Sequence, residues 1–568
     1  MQAKENVKKI IISVIDVIIV TSLLLSFVFM FVNSKEKEDV FDVSDGWTVI
    51  IDGEEFDDVN LNAFQFPKGI GQDVKDVVMV RTLDRDMCAG TTLRVYSRLA
   101  FIQVDMDGEV LYYAGKEGGK PNMFVGMGYH FIQIPMNFSL AERELTIHLV
   151  SQESGGINGL PDVALTSSEV AYPYFVDENA IGMFASVFIF MLGLVLTIIS
   201  ILYTHLNQDY FRLFLIGSFA LCVGLWCMCS QKILLLFNVS LSANSSMEFY
   251  LMEMAFLPLL GYDIKVREGM YENEKLTIRI LIIINMVYNF IAATLHFTNT
   301  LHYPQFVMAF YVLALVDCVA MMYVGVRPVK TMTISEKVFH YSMAAMAVFG
   351  FWKIIDYVYG NYLVRGEARE AEISMPLALL FFVGLLVISY LSHLYDMVLS
   401  QAQEEALTTL AYKDTLTGLY NRAKSEELFK HLNEEQHPNY VFLNFDLNGL
   451  KVINDKEGHA RGDLLISSFG RILQEAFSSL GKNMRMGGDE FLTIIEGDNL
   501  PDQDELITLY EEKVKEVSQE VELDISASYG VAYSSEVFEP EAEQIFRLAD
   551  ERMYEMKELS KRAKGLQS

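Results

Sequence analysis

Cysteines are scarce in this sequence, and their positions exclude whole classes of protein. There are 5 among 568 residues. Cys222, Cys227, Cys229 and Cys318 fall inside apolar runs, and Cys88 stands alone in the first large polar region. Such a distribution cannot form a disulfide framework, and it contains no Cys/His spacing of the kind that binds metals. The sequence is therefore neither a disulfide-stapled secreted scaffold nor a cysteine-ligated metalloprotein.

Basic residues are also in the minority. The chain has 44 Lys and Arg against 74 Asp and Glu, which gives a formal net charge of −30. Domains that bind DNA or RNA normally present a basic face, often with aromatic residues between the charges, and no such cluster occurs here. We therefore expect no nucleic-acid partner, and we interpret the acidic excess as a contribution to solubility.

Apolar residues are abundant, at 52% of the chain, and they are unevenly distributed. Runs long enough to cross a bilayer lie near the N-terminus and between about 180 and 397. The first run, Ile10 to Val32, has lysines on both sides and no small-x-small cleavage site after it. We therefore expect a retained transmembrane anchor over residues 1–34, with a cleaved signal peptide as the alternative.

Seven further apolar runs predict an all-α bundle of seven transmembrane helices over residues 180–397. The runs are 180–204, 211–236, 246–264, 277–297, 305–326, 338–358 and 374–396. If residue 1 is cytoplasmic, the loops on that side hold most of the Lys and Arg, whereas the outer loops 237–245 and 298–304 hold none. This positive-inside pattern predicts a multi-pass protein of the bacterial inner membrane, in contact with the lipid bilayer, with residues 35–179 outside and the C-terminus in the cytoplasm.

Several charged residues lie within these runs. They are Glu248, Glu253, Asp263, Asp317, Lys353 and Asp356. A charge at membrane depth is costly, so each of them is a functional candidate. The simpler interpretation places most of them near helix ends or inside the bundle.

Residues 35–179 predict a β-sandwich. Turn signals such as Asp107-Gly108 separate short β-rich runs, which begin at Trp47, Val77, Thr92, Ala100, Val110, Tyr129 and Leu145. The string Ile102-Gln-Val-Asp-Met-Asp-Gly108 resembles the jelly-roll sandwiches of the galactose-binding type. That resemblance implies either an unknown extracellular ligand, with carbohydrate as a candidate, or a plain spacer.

The layout of a β-sandwich before a seven-helix block resembles the bacterial seven-transmembrane receptors with diverse intracellular signalling modules. The last predicted span leads into residues 398–412, which lack Gly and Pro and favour a continued signalling helix. A seam at spacings of four and three predicts a parallel coiled coil, with a single amphipathic helix on its own domain as the alternative. The seam consists of Tyr395, Leu399, Ala402, Ala406 and Thr409.

Three blocks in residues 413–568 place acids and glycines where nucleotide chemistry needs them. They are Asp414-Thr-Leu-Thr-Gly-Leu-Tyr-Asn-Arg422, Phe445-Asp-Leu-Asn-Gly-Leu-Lys-Val-Ile-Asn-Asp-Lys-Glu-Gly-His-Ala-Arg-Gly-Asp463 and Arg485-Met-Gly-Gly-Asp-Glu-Phe491. One β-rich run ends at Asp446, and the third block is typical of a hairpin. Its two glycines permit positive φ and close approach of the backbone to a phosphate. Asp446 can then meet Asp489 and Glu490, and paired carboxylates of this kind suit Mg²⁺.

The order, spacing and identity of these blocks resemble the GGDEF family of diguanylate cyclases over about residues 410–568. The resemblance implies a cytoplasmic α/β (α+β) domain with a central, mainly antiparallel sheet. It also implies a homodimer in which each subunit holds one GTP. Two GTP molecules would then be condensed into cyclic di-GMP and two pyrophosphates.

The resemblance implies catalytic roles for Asp489, Glu490 and Lys451. Asp446 and Asp489 would ligate Mg²⁺, or Mn²⁺ in its place, with help from the Leu447 carbonyl. Glu490 would hold a second metal ion or help to deprotonate the attacking 3′-hydroxyl. Lys451 would stabilise the charge that develops at phosphorus.

The resemblance also implies residues that bind the substrate. Asn454 and Asp463 would read the guanine edge. The phosphates would be contacted by Lys557, Lys561, Gly487 and Gly488. At the entrance of the domain, Asp414, Asn421 and Arg422 are expected to cap or brace the chain.

The sequence departs from the family pattern at several positions. Asn448 replaces a common aspartate, and Gly449-Leu450 replaces the usual aromatic residue, which predicts a looser nucleotide pocket. Lys561 stands where an arginine is expected, so a bidentate phosphate contact is lost. The family's inhibitory product site is an Arg-x-x-Asp motif, and its window here is Ser478-Ser-Leu-Gly481. We therefore predict no product inhibition through that site.

Two further interpretations stay open beside a membrane-bound, signal-gated cyclase. The first is a catalytically inactive GGDEF nucleotide-binding receptor, although degenerate members normally lose the acids that are intact at Asp489 and Glu490. The second is a transporter or channel with a regulatory tail. That function would need clustered polar residues or broken helices in the bundle, for which Pro258 and Pro376 give little support.

Overall fold

The chain divides into two compact units, Met1–Asp396 and Met397–Ser568. The computed structural model describes residues 40–66, 74–83, 91–115, 124–134, 142–203 without 152, 154, 155 and 158, 209–266, 271–326, 333–358, 373–434 and 439–563 without 539. The predicted anchor at residues 1–34 and the lone Cys88 lie outside the described residues.

Within the described residues, the first unit contains ten strands in two antiparallel sheets. The strands are β1 (Val40–Asp42), β2 (Trp47–Ile51), β3 (Glu54–Val59), β4 (Asp76–Thr82), β5 (Thr91–Arg98), β6 (Ala100–Met106), β7 (Glu109–Ala114), β8 (Met127–Gln133), β9 (Glu144–Ser151) and β10 (Val163–Ser167). One sheet has the order β1-β10-β5-β8, and the other has the order β3-β2-β4-β9-β6-β7. All seven predicted β-rich runs are strands.

The two sheets share one hydrophobic core. Alternate residues of a strand point into it, as in β6, where Ile102 and Val104 are fully buried between half-exposed neighbours. Leu93 of β5 comes from the other sheet and belongs to the same cluster. Trp47 is also fully buried, and its indole Nε1 donates to the carbonyl of Val43 at 2.6 Å. This period of two is the pattern by which a sequence predicts a half-buried strand.

Within the described residues, nine helices lie between β10 and the second sheet. They are α1 (Ala171–Glu178), α2 (Ala180–Tyr203), α3 (Asp209–Ser230), α4 (Leu241–Met254), α5 (Phe256–Val266), α6 (Glu272–Phe297), α7 (Tyr303–Val326), α8 (Ile334–Val358) and α9 (Ser374–Tyr412), with a 3-10 helix at Ile233–Phe237. In this part of the chain, six helical segments are long and apolar enough to cross a membrane. These are Ala180–Tyr203, Asp209–Ser230, Glu272–Phe297, Tyr303–Ala320, Ser335–Asp356 and Ser374–Tyr412.

The predicted span 246–264 is divided between α4 and α5, and neither of these helices is among the six. Pro258 has no amide hydrogen to donate to the carbonyl of Met254, which is the last residue of α4. The amide of Ala255 still donates to the carbonyl of Leu251 at 3.1 Å. The structure therefore has an interrupted pair of short helices here and does not confirm seven uninterrupted spans.

Charged residues inside the predicted spans have polar partners. Glu248 accepts a hydrogen bond from Nζ of Lys232 at 2.7 Å. Asp317 accepts one from Nδ2 of Asn285 at 3.0 Å, and this pair is buried. These contacts favour the simpler interpretation, in which such charges lie inside the helical bundle.

Strand β8 is joined directly to the first two turns of α4. The amide of Met127 donates to Oγ of Ser245 at 2.9 Å, and the same Oγ donates to the carbonyl of Met127 at 3.3 Å. A Cβ at Gly126 or Gly128 would collide with Leu241 at the start of the helix. The sheet therefore meets the helices through its backbone at this point.

The second unit is built around a five-stranded sheet with the order β11-β13-β14-β12-β15. Its strands are β11 (Tyr420–Asn421), β12 (Tyr440–Leu447), β13 (Lys482–Arg485), β14 (Glu490–Glu496) and β15 (Ala527–Tyr533). Its helices are α10 (Arg422–Glu434), α11 (Leu450–Glu457), α12 (His459–Phe477), α13 (Gln503–Val521) and α14 (Ala542–Ala563). Three of the four strand pairs are antiparallel, which confirms the predicted α/β fold with a mainly antiparallel sheet.

Strand β12 is buried along its whole length because helices cover both faces of the sheet. On one face Phe445 packs against Phe469 of α12, with ring centroids 5.9 Å apart. On the other face Phe442 packs against Phe429 of α10 at 5.3 Å. Helix α13 joins the first layer and α14 joins the second. The faces of the sheet are therefore covered, and the ends of the strands are where side chains can reach a ligand.

Helix α9 continues without a break to Tyr412, so the predicted linker residues 398–412 are helical. Along this stretch Leu399, Leu407 and Leu410 are 45%, 66% and 72% exposed. The end of α9 thus presents large apolar side chains to its surroundings.

Candidate active site

The predicted acids meet at the end of β12. Asp446 pairs in register with Glu490 at the start of β14, so their side chains lie on the same face of the sheet. One residue further along, the amide of Leu447 donates to the carbonyl of Asp489 at 2.8 Å. Asp446 is largely buried, whereas Glu490 is exposed. The four residues predicted to hold metal ions thus lie on two adjoining backbone segments.

Lys557, from the last helix, contacts Asp446, which is the buried residue of this group. Nζ of Lys557 donates to Oδ2 of Asp446 at 2.6 Å. Lys557 reaches it because α14 lies directly on β15, where a Cβ at Gly530 would collide with backbone atoms of Ala549 and Met553. The sequence predicts Lys557 as a phosphate ligand, and the structure places its ammonium on a predicted metal ligand.

The donor atoms at this edge fit a hard divalent cation. Carboxylates at Asp446, Asp489 and Glu490, with the carbonyl of Leu447, are oxygen ligands of the kind that Mg²⁺ prefers. Among the described residues, no three His, Cys, Asp or Glu side chains already converge as a metal-binding group. The ammonium of Lys557 pairs with the carboxylate of Asp446. The oxygen ligands at this edge fit Mg²⁺ in their charge and chemistry.

The glycines lie in the tight connection between β13 and β14. The amide of Met486 donates to the carbonyl of Glu490 at 2.8 Å and closes the hairpin. Neither Gly487 nor Gly488 adopts a positive φ, so this turn does not use the conformational freedom that glycine permits. The space around the two residues differs. A Cβ at Gly487 would lie 3.1 Å from Oε2 of Glu490, and nothing lies within 4 Å of the Cβ position at Gly488. The tip is thus left open for close approach by a ligand.

Arg485 holds this hairpin through hydrogen bonds to its backbone. Its Nε donates to the carbonyl of Gly487 at 3.0 Å, and its Nη2 donates to the carbonyl of Gly488 at 2.9 Å. Its Nη1 lies 3.2 Å from both carboxylate oxygens of Asp414. The sequence predicts Asp414 to cap or brace the entrance, and this prediction is confirmed.

Asp414 also closes its own turn. Its Oδ1 accepts from the amide and the hydroxyl of Thr417, at 2.9 and 2.7 Å. Burial raises the pKa of Asp414, but the hydrogen bonds from Thr417 and the charge of Arg485 outweigh it. The pKa therefore lies below the ordinary value of 3.8.

The predicted guanine-reading residues lie on two consecutive helices. Helix α11 begins after Gly449, whose φ of 76° is in the left-handed region that favours glycine. Asn454 of α11 is half-buried, whereas Asp463 in the first turns of α12 is exposed. Lys451 is exposed near the start of α11. These three residues thus lie on α11 and α12, the two helices that follow β12 and its acidic end.

Lys561 is not brought to the acidic edge in this structure. Its Nζ lies 3.1 Å from Oε1 of Glu558 on the same helix, and its side chain is half exposed. The departure at Asn448 is accommodated by a hydrogen bond that its Oδ1 accepts from Oγ of Ser528 at 3.3 Å. The window of the product site, Ser478–Gly481, follows α12 as a turn.

Three residues that shape the site are missed by sequence reasoning. Gly462 and Gly530 have no side chain where another element crosses them closely, and Arg485 acts through its contact with Asp414. A glycine inside a helix or strand is the signal that could find the first two, because such glycines often mark close approach.

Comparison with known proteins agrees with this arrangement. A family model described as "Diguanylate cyclase, GGDEF domain" matches residues 411–563. Diguanylate cyclase DgcS of Shewanella oneidensis is 30% identical over 163 residues, which is 28% of this chain and 54% of that protein. The probable diguanylate cyclase DgcI of Escherichia coli is 37% identical over 148 residues, 26% of this chain and 31% of that protein. The chain thus spans about half or less of the length of these two relatives.

Two further comparisons cover more of the matched protein. The crystal structure of the coiled coil and GGDEF domain of DgcB from Caulobacter crescentus, in complex with c-di-GMP, has a TM-score of 0.26 and 22% identity, over 29% of this chain and 91% of that one. An uncharacterised 19.3 kDa protein of Streptomyces ambofaciens is 33% identical over 152 residues, 27% of this chain and 81% of that protein. This chain therefore belongs to the GGDEF family, with its GGDEF domain at residues 411–563.

Proposed function

We propose that the protein is a membrane-bound sensor diguanylate cyclase that condenses two GTP into cyclic di-GMP and two pyrophosphates. The observation that carries the proposal is the intact acidic edge, where Asp446 and Glu490 stand opposite each other beside Asp489. Relatives that are named diguanylate cyclases support the same activity.

The acidic edge supplies the groups that this reaction needs. Asp446, Asp489 and the Leu447 carbonyl would hold Mg²⁺, which would supply positive charge to the triphosphate and to the α-phosphorus. Glu490 is exposed next to Asp489 in sequence and would hold a second metal ion or help to deprotonate the attacking 3′-hydroxyl. The open tip at Gly488 leaves room for the phosphates to approach the backbone amides. Lys451 contributes further positive charge.

Catalysis requires a homodimer in this proposal, because each domain binds one GTP and each 3′-hydroxyl attacks the α-phosphate of the other. The end of α9 is the segment that would join the two copies. Tyr395 and Leu399 of the predicted seam are exposed, and a parallel coiled coil would cover them. The predicted boundaries of this linker, 398–412, and of the cyclase domain, 413–568, belong to the same proposal.

The remainder of the chain is proposed to be the sensor. Residues 180–397 form a transmembrane bundle in the bacterial inner membrane, preceded by an anchor at residues 1–34. The distribution of Lys and Arg supports a cytoplasmic C-terminus. Residues 35–179 would then lie outside as a jelly-roll β-sandwich. It would either bind an extracellular ligand, with carbohydrate as a candidate class, or serve as a spacer.

A catalytically inactive nucleotide-binding receptor is the alternative function, and one experiment separates the two. The full-length protein in lipid nanodiscs is incubated with GTP and Mg²⁺, and the product is identified by mass spectrometry. We expect cyclic di-GMP. If GTP binds and no product forms, the protein is a receptor.

Two matched variants test the metal assignment in the same assay. Asp489→Ala should abolish product formation. Asp498→Ala removes an exposed aspartate beyond the opposite end of β14 and should leave the rate unchanged. Full activity of the Asp489 variant would refute the role given to that carboxylate.

A further inference from the structure

Gly462 is a glycine for which the backbone gives no reason. It lies in the first turns of α12, which runs from His459 to Phe477, and it is buried. Its φ is not in the left-handed region that favours glycine. Alanine at such a position would stabilise the helix by about 1 kcal/mol relative to glycine. Something other than the helix itself must therefore exclude a side chain here.

The neighbouring helix supplies the reason. A Cβ at Gly462 would overlap Oδ1 of Asn454 and would lie 2.9 Å from its Cγ and 3.3 Å from its Nδ2. All three of the nearest atoms belong to this one amide group. The amide oxygen of Asn454 thus occupies the space that a methyl group at residue 462 would fill.

The backbone of Asn454 is held by the same short connection. The amide of Gly458 donates to the carbonyl of Asn454 at 3.1 Å, and the amide of Gly462 donates to the carbonyl of Gly458 at 3.3 Å. Because the two helices are tied in this way, α11 cannot simply move away from a methyl group at 462. The amide of Asn454 would have to rotate about its own side-chain bonds instead.

We propose that Gly462 is a positioning residue for guanine recognition, because it seats the amide of Asn454 beside Asp463. This inference rests on the proposed function, in which these two side chains read the guanine edge. An amide offers both a donor and an acceptor, and a carboxylate offers acceptors only, so the orientation of the amide decides which base fits. Gly462 immediately precedes Asp463 in α12.

The test compares Gly462→Ala, Asn454→Ala and the double variant with the wild type, all full-length in nanodiscs. The readouts are the Kd for GTP, the KM and kcat of cyclic di-GMP formation, and the inhibition constant of ATP. Gly462→Ala should raise the Kd and KM for GTP about tenfold, the effect of one lost hydrogen bond. The kcat and the inhibition constant of ATP should each stay within about twofold of the wild-type value, because the acidic edge and the phosphate contacts are unchanged.

The double variant decides whether Gly462 acts through Asn454. Once residue 454 is alanine, there is no amide to displace, so adding Gly462→Ala should change the Kd for GTP by less than twofold. Multiplied effects in the double variant, or an unchanged Kd in Gly462→Ala, would overturn the proposal. If Gly462→Ala does not fold, the double variant should still fold as Asn454→Ala does, because it has no amide to displace. Failure of both Gly462→Ala and the double variant to fold would overturn the proposal as well.

The proposed function fails in a different way. A wild type that binds GTP and makes no cyclic di-GMP refutes the cyclase, while the Kd series still tests Gly462. A wild type that does not bind GTP refutes both.

Discussion

The guanidinium of Arg485 lies between the carboxylate of Asp414 and the carbonyls of the glycine hairpin. Nη1 is 3.2 Å from both oxygens of Asp414, while Nε and Nη2 donate to Gly487 and Gly488. Asp414 follows closely after the end of α9 at Tyr412. One arginine therefore connects the entrance of the domain to the loop that is proposed to meet the phosphates.

Removing this connection should impair the site without unfolding the domain. Arg485→Ala deletes charged hydrogen bonds to two carbonyls, each worth about 1.5–3 kcal/mol, so kcat/KM for GTP should fall at least tenfold. Asp414→Asn should cost less, because the bonds from Arg485 to the glycines remain. Arg471→Ala is a suitable control, since it removes another arginine whose partner is the exposed Glu520. Equal activity of the Arg485 and Arg471 variants would contradict the bracing role.

The stability contributed by Asp414 should depend on pH in a defined direction. Its pKa in the folded protein lies below 3.8, so its contribution is present at neutral pH and is lost as the pH falls below that value. Asp414→Asn should therefore be less stable than the wild type at pH 7, and the difference should shrink in acid. Chemical denaturation of both proteins at several pH values measures this. A difference that grows below pH 3.8 would be inconsistent with the lowered pKa.

Lys557 should oppose metal binding while it favours nucleotide binding. Its ammonium lies 2.6 Å from Oδ2 of Asp446, so a cation that binds this carboxylate must compete with it. Lys557→Met should therefore tighten Mn²⁺ binding in the absence of nucleotide several-fold, on the order of 1 kcal/mol, as measured by electron paramagnetic resonance. The same variant should raise the KM for GTP.

The control for this prediction is Lys561→Met, one turn further along α14. Lys561 contacts Glu558 rather than Asp446, so its loss should leave Mn²⁺ binding without nucleotide unchanged. Weaker Mn²⁺ binding by the Lys557 variant would show that Lys557 does not compete with the metal.

Gly530 should tolerate no side chain. A Cβ there would collide with the carbonyl of Ala549 and the amide of Met553, which are backbone atoms that cannot rotate away. Gly530→Ala should therefore destabilise the domain by about 1–3 kcal/mol. Gly488→Ala is the matched control for stability, because its Cβ would meet nothing within 4 Å. Denaturation of the two variants should differ clearly, and equal midpoints would argue against the close packing of α14 on β15.

Cyclic di-GMP should not inhibit the protein through the family's feedback site. The window Ser478–Gly481 contains neither the arginine nor the aspartate of that motif. A side chain at Gly481 would also collide with the carbonyl of Ile494, so an aspartate cannot simply be introduced there. Initial rates measured with and without added product should be equal. A rate that falls as product is added would point to another inhibitory site.

Much of this fold is predictable because its signals are local. The seven β-rich runs are strands, six of the seven apolar runs after residue 180 are long helices, and Asp446 lies at the end of a strand as predicted. Strand β3 was not predicted, because four of its six residues are acidic and only its pairing with β2 makes it a strand. The break in the span 246–264 depends on a single Pro258, whose effect on the helix a hydropathy average does not register.

The remaining features depend on packing between distant segments. The glycines at 462 and 530 matter because another element lies across them, and neither spacing nor composition encodes that crossing. The same holds for Lys557, which is 111 residues from the carboxylate that it contacts. The motif identifies which residues matter, and the tertiary structure decides which of them touch.

The junction at Met127 and Ser245 has a mechanical consequence. Both backbone polar groups of Met127 are bonded to one hydroxyl of α4, and glycines on either side bring the strand against the helix. Among the described residues, β8 is hydrogen-bonded directly to α4 at this point. A displacement of β8 would therefore be transmitted directly to the start of α4 and would tilt or shift that helix.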